Sequence, residues 1–225
     1  MWSFNTIAFL VFPYMMLMLF VIGHSFRYLS DPFRWNSKSS EFLDKSSLRI
    51  GILIFHWGII FTFFGHFFGL LTPQWFLDRL GINTQIHETA SISVGIVIGT
   101  MASIGLILLL IRRVIRPRVR VTSSVNDFVV IVLLLFVVGW GTFNAFFMRY
   151  DVVHTIAPWI RSIIILSPDP DLMRPVPWTY KVHILGALTL LGFSPFTRLV
   201  HIWSVPITYL IRRFILFRRR SMEIA

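Results

Sequence analysis

Four stretches of this chain carry no Asp, Glu, Lys or Arg over lengths that only a bilayer accommodates. They lie between Met1 and Arg27, Arg49 and Asp78, Glu88 and Arg112, and Asp127 and Arg149. About 20 apolar residues cross a hydrocarbon core about 30 Å thick. Inside that core each backbone polar group must be paired within its own segment, which selects helices. Composition agrees: 56% of residues are hydrophobic and 14% charged, too little polar surface to cover a soluble globule. A fifth stretch, 182–197, is uncharged for sixteen residues before Arg198 interrupts it and apolar character resumes at Leu199. We read one helix there over about 178–205, bent at Pro195, which cannot donate to the helical ladder. The expected fold is an all-α integral membrane protein. It forms a single membrane domain over 1–225, with five transmembrane helices at about 4–27, 50–72, 89–111, 127–148 and 178–205.

The net charge of +11 is distributed by side, so it reports topology and not nucleic-acid binding. Five Lys or Arg run from Arg27 to Arg49, ends included, and five more from Arg112 to Arg120, and the tail adds Arg212, Arg213, Arg218, Arg219 and Arg220. The alternate loops are poor in them, with Arg79 in one and Arg149, Arg161, Arg174 and Lys181 along the other. The positive-inside rule then places the N-terminus outside and the C-terminus inside, as five spans require. The first apolar stretch lacks a basic n-region and a small-residue cleavage site, so we expect a retained span.

Between the spans, the loop 30–48 is rich in Ser and should face the cytoplasm. In the outer segment 153–166, Ile156, Trp159, Ile160, Ile163 and Ile164 recur at helical spacing, which predicts a short helix lying in the outer interface. Four prolines mark 167–177 as irregular connection. The basic tail 206–225 mixes aromatic and aliphatic residues with five arginines, suiting an anchor on anionic inner-leaflet lipid or a docking surface for a cytoplasmic subunit.

The chemistry sits in histidine. His56 and His66 lie ten apart in the second span, and His183 and His201 lie eighteen apart in the fifth. The two helices run in opposite directions, so depth pairs His66 with His183 toward the outside and His56 with His201 toward the inside. Ten residues rise about 15 Å and eighteen about 27 Å, so tilt must absorb a mismatch. Eighteen residues make five whole turns and put His183 and His201 on one face of a continuous helix. One intramembrane histidine ordinarily serves an interhelical hydrogen bond or a proton relay. Four on two helices, pairing by depth, point to two haem irons, each held by two imidazoles, six-coordinate and suited to electron transfer. The chain has no cysteine, which excludes covalent c-type haem and thiolate-bound clusters, so any haem is non-covalent. Gly58, Gly65, Gly69 and Gly186 flank the ligands and could leave room for a flat macrocycle or serve helix packing. Arg27, Arg112, Arg118 and Arg198 are cations near the inner boundary available to haem propionates. His24, His87 and His154 fall at span ends or in loops, where surface histidines belong.

Three strings carry a resemblance: Phe55-His56 with Gly65-His66-Phe67-Phe68-Gly69-Leu70-Leu71-Thr72-Pro73, then Pro117-Arg118-Val119-Arg120, then Arg198-Leu199-Val200-His201-Ile202-Trp203-Ser204-Val205-Pro206. In these the chain resembles the gamma subunit of respiratory nitrate reductase, a di-haem cytochrome b membrane subunit, over nearly its whole length. The resemblance implies two b haems, an outer one on His66 and His183 and an inner one on His56 and His201. It implies a multi-pass protein of the inner (cytoplasmic) membrane that oxidises quinol near the outer haem and releases protons outside. Electrons pass inward to an iron–sulfur subunit, and a molybdenum subunit reduces nitrate. The family has a lysine in the loop before the third span, where this chain reads Gln85-Ile86-His87-Glu88. His87 or Glu88 could accept the quinol proton in its place.

Two alternatives stay open on sequence. Related di-haem cytochrome b subunits serve heterodisulfide or sulfite reduction and share the histidine-tryptophan-serine-valine-proline string. A haem-free proton or ion transporter would use the four histidines as a relay and would lack haem absorbance.

Overall fold

The computed structural model describes residues 3–30 and 46–203, and the regular elements among them are all helices. Four are long and apolar enough to cross a membrane: α1 (Phe4–Ser30), α2 (Ser46–Leu71), α4 (Thr84–Ile115) and α6 (Val125–Phe147). Short helices α3 (Gln74–Arg79), α5 (Pro117–Val121) and α7 (Ile156–Ile164) lie between them, and α8 (Trp178–Phe193) follows. The loop 31–45, the tail 206–225 and the expected last residues of the fifth helix, 204–205, lie outside the described residues.

Local chemistry sets the boundaries. Pro73 follows the end of α2 and opens α3. Asn83 caps α4, its side chain accepting from the Ile86 N–H at 2.9 Å, and α4 stops where Pro117 excludes helical backbone at Arg116. The third span therefore runs further at both ends than the charge gap suggested. Ser124 and Asp127 form a reciprocal capping box on α6.

The fifth element departs from the expected continuous helix over 178–205. Regular α-helix ends at Phe193 after 16 residues, a rise of about 24 Å, and 3-10 turns follow at Ser194–Phe196 and Arg198–Ile202. The reason lies at Pro195, which lacks the N–H that would bond Leu191 four residues back. The Leu191 carbonyl is instead taken by the Ser194 hydroxyl at 2.7 Å. Thr197, in extended backbone, then starts a new turn by accepting the Leu199 N–H on its side chain at 3.1 Å. His183 and His201 consequently do not share a face of one helix.

The long helices pack in sequence around an open arc, α2 on α4, α4 on α6, α6 on α8 and α8 on α1. No comparable seam joins α2 to α8. Apolar surface alone gives helices no reason to associate in lipid, so close backbone approach matters. Gly58 provides it between α2 and α4: a Cβ there would lie 2.6 Å from the Ala102 nitrogen.

The end of the bundle where α1 begins is closed by α7. Pro13 interrupts α1 just after the π-helical stretch Ile7–Val11 and cannot donate to the Phe9 carbonyl. The buried indole of Trp159 supplies the missing donor, at 2.9 Å from the Phe9 oxygen, while its ring meets the Phe9 ring edge-on at 5.8 Å. Tyr14 donates to the Ile163 carbonyl at 3.0 Å. The apolar face predicted to lie in the lipid interface is thus buried in protein, through Ile156, Trp159 and Ile163.

Candidate functional site

Two histidine pairs bridge the unpacked space between α2 and the α8 segment. The His66 and His183 rings lie 6.1 Å apart, centre to centre, inclined at 38°. The His56 and His201 rings are also 6.1 Å apart, inclined at 56°. These are the pairs that depth selects, and His201 lies past the stop at Phe193, on the 3-10 turn Arg198–Ile202.

Each ring is oriented by a hydrogen bond from Nδ1 to a backbone carbonyl. On α2 both acceptors lie one turn back, Ile52 for His56 and Thr62 for His66, each at 2.8 Å. His183 reaches across to the Val137 carbonyl of α6 at 3.0 Å, and His201 uses the Arg198 carbonyl at 2.6 Å. A carbonyl only accepts, so Nδ1 carries a proton in all four, and in the neutral imidazole this tautomer leaves the lone pair on Nε2. An outer-shell hydrogen bond of this kind fixes tautomer and direction for a ligating imidazole and raises its basicity.

The spacing suits one metal between two imidazoles. A first-row metal sits about 2.0 Å from an imidazole nitrogen, itself about 1.1 Å from the ring centre, so two rings facing each other across it would stand about 6.2 Å apart. The donor set is neutral nitrogen only, which suits haem iron. Gly141 on α6 shapes the outer site, since a Cβ there would lie 2.7 Å from Cε1 and 3.1 Å from Nδ1 of His183. The residues therefore fit two bis-imidazole haems.

The remaining candidates fall in different places. A Cβ on Gly65 would approach only Ile98, at 3.9 Å, and one on Gly69 would lie 3.7 Å from His87 Nε2. His87, on the first turn of α4, is thus brought beside the α2 backbone three residues from His66. Its Nδ1 donates to Gln74 Oε1 at 3.2 Å, and the Gln74 amide donates to Asp78 at 2.9 Å and to the Ile82 carbonyl at 3.0 Å. Glu88 is half-buried on the same turn. Gly58 and Gly186 sit in helix seams, against Ala102 and against Val137 and Phe136. Arg112 is buried in the last turn of α4, and Arg118 is exposed on α5. Arg27 donates to the Pro195 carbonyl at 2.7 Å. Arg198, expected to meet a propionate, places Nε on Asp127 Oδ1 and Nη2 on Oδ2 at 2.8 Å. His154 pairs at the surface with Asp151, and His24 lies against Phe20 and Trp203.

Four participants escaped the sequence reading. Gly141 and the Val137 carbonyl belong to a helix without a ligand, and only the Gly139-Trp140-Gly141 string hinted at a close approach. Asp127 had a signal, an acid at a span edge in a chain with few acids. Arg161 donates from α7 to the Leu70 carbonyl at the end of α2 at 2.9 Å, and burial lowers its pKa from the ordinary arginine value.

Comparison with known proteins adds an independent observation. The family model described as nitrate reductase gamma subunit matches residues 5–220. The nitrate reductase gamma chain of Bacillus subtilis is 38% identical over 215 residues, covering 94% of this chain and 96% of that one. The respiratory nitrate reductase 1 gamma chain of Escherichia coli is 32% identical over 221 residues, covering 96% and 98%. A nitrate reductase-like protein of Mycobacterium tuberculosis is 34% identical over 217 residues, covering 94% of this chain but 33% of its own length. On this evidence the chain belongs to the nitrate reductase gamma subunit family.

Proposed function

We propose that this chain is the di-haem cytochrome b subunit of a quinol-oxidising molybdenum nitrate reductase, anchoring its partner subunits to the inner membrane. The observation that carries the reading is the pair of 6.1 Å histidine couples whose four rings all commit Nδ1 to a carbonyl. His66 and His183 would hold the outer haem, and His56 and His201 the inner one. Haem iron held by two neutral imidazoles supplies one-electron transfer without binding substrate.

The chain's own residues do the rest. α8 and the turns after it form the fifth span, with the N-terminus outside and the arginine-rich loops inside, facing an iron–sulfur subunit and a molybdenum subunit. Arg112 and Arg118 stand on the inner side as propionate partners. Quinol binds at the outer end beside Gly65 and Gly69, where His87 Nε2, with Nδ1 held by Gln74, accepts a proton. Glu88 is the second acceptor there. With quinol oxidised outside and electrons delivered inside, each electron crossing the membrane corresponds to about 2.3 kcal/mol per 100 mV.

The test is purification of the chain with its native partners. The reading expects two b-type haems per chain in the reduced-minus-oxidised spectrum, co-purifying iron–sulfur and molybdenum subunits, and quinol-dependent nitrate reduction. A haem-free chain would refute it, and so would partners lacking molybdenum.

A further inference from the structure

His56 and His66 stand well inside a 26-residue helix, and His183 leans on α6. His201 is placed differently, on the 3-10 turn Arg198–Ile202 beyond the last α-helix. A turn of five residues does not fix a side chain's depth by itself, so another contact has to hold it.

Arg198 provides that contact at both its ends. Its main-chain carbonyl accepts from His201 Nδ1 at 2.6 Å. Its guanidinium grips both oxygens of Asp127, a two-point fork with planar geometry. Asp127 belongs to the first turn of α6 and its side chain is 5% exposed. It also accepts from the Ser124 N–H at 3.0 Å, and Arg113 of α4 stands 3.3 Å from Oδ2. The carboxylate is therefore tied to α4 and α6 on one side and to the ligand-bearing turn on the other.

We infer that Asp127 is a positioning residue for the inner haem, acting through Arg198 to set the depth and direction of the His201 imidazole. The inference rests on the ligand assignment proposed above. A buried carboxylate stripped of its charge loses the charge-assisted two-point grip on the guanidinium, so the turn relaxes and carries His201 with it.

The experiment uses the whole complex and reads the two low-spin ferric haem signals, whose positions report the angle between paired imidazoles, together with haem content per chain. Asp127→Asn keeps an acceptor for the Ser124 N–H but loses the charge. It should shift the inner signal or cut inner-haem occupancy about 10–100-fold, the usual loss when an outer-shell partner of a ligand is removed. The outer signal should stay as in the unmodified chain. Asp127→Glu should restore most of the inner site. Arg198→Lys keeps the charge opposite Asp127 but loses the fork, and should give the same inner-only change.

The outer haem is the internal control, because a general folding defect would lower both signals in parallel and overturn the inference. An unchanged inner signal in both Asp127→Asn and Arg198→Lys would also overturn it. His201→Ala separates the two levels of the argument. If it removes the inner haem while Asp127→Asn does nothing, the positioning role alone fails. If it leaves both haems in place, the ligand assignment fails.

Discussion

Replacing Gly141 by alanine tests the outer site with a sign that ordinary helix chemistry does not predict. Glycine inside a helix costs about 0.8–1.0 kcal/mol relative to alanine, so on propensity alone the substitution stabilises α6. Here the new methyl would lie 2.7 Å from Cε1 of His183, where carbon atoms prefer about 3.5–4.0 Å. The ring has to retreat by about 1 Å, which breaks its 3.0 Å bond to the Val137 carbonyl. That hydrogen bond is worth about 0.5–1.5 kcal/mol, so the two effects roughly cancel in the stability of the chain without haem. They do not cancel in the haem-loaded protein, because a bound imidazole cannot retreat. Outer-haem affinity should fall by about 10–100-fold, read as a lower haem content at limiting haem. Gly139→Ala is the matched control, two residues away with nothing within 4 Å of the added methyl. It should keep both haems and melt slightly higher. The assay is haem per chain from reduced-minus-oxidised spectra of the purified complex, with thermal unfolding followed in parallel. An outer haem bound equally well in the two variants would refute the steric argument.

Two further substitutions probe the frame around the site. Trp159→Phe keeps the ring packed on Phe9 but leaves the Phe9 carbonyl without the donor that Pro13 cannot supply. It should cost about 1–3 kcal/mol, read as a lower unfolding temperature, and an unchanged melting profile would contradict the role given to that bond. Gly58→Val places a Cβ against main-chain atoms of Ala102, which cannot swing aside, so α2 has to part from α4 at a cost of about 1–3 kcal/mol. Because α2 carries one histidine of each pair proposed to hold haem, both haem signals should decline together, and loss of one alone would argue against that seam.

The sequence was most legible where solvent dictates the outcome. Charge-free stretches mark α1, α2, α4 and α6, because a bilayer leaves few other options. The pairing of His66 with His183 and His56 with His201 follows from helix direction alone, and the rings meet in those pairs. Pro195 was recognised as a bend, but a bend became a stop because the Ser194 hydroxyl and the Thr197 cap satisfy the freed backbone groups locally. The isoleucines and Trp159 gave α7 its helical spacing, yet what covers that face is the orphaned Phe9 carbonyl of another helix, almost 150 residues away. Gly141 against His183 and Asp127 against Arg198 were out of reach for the same reason. Each depends on how two helices are rotated against one another, and neither helix's own pattern records that rotation.

If four Nε2 atoms hold two irons in those specific pairs, each imidazole serves one haem and not the other. The most direct measurement replaces His56, His66, His183 and His201 one at a time with alanine and follows, by redox titration of the haem spectrum, which of two components disappears. The His66 and His183 variants should lose one and the same component, and the His56 and His201 variants the other. Loss of different components from His66 and His183, or any single variant retaining both, would contradict it.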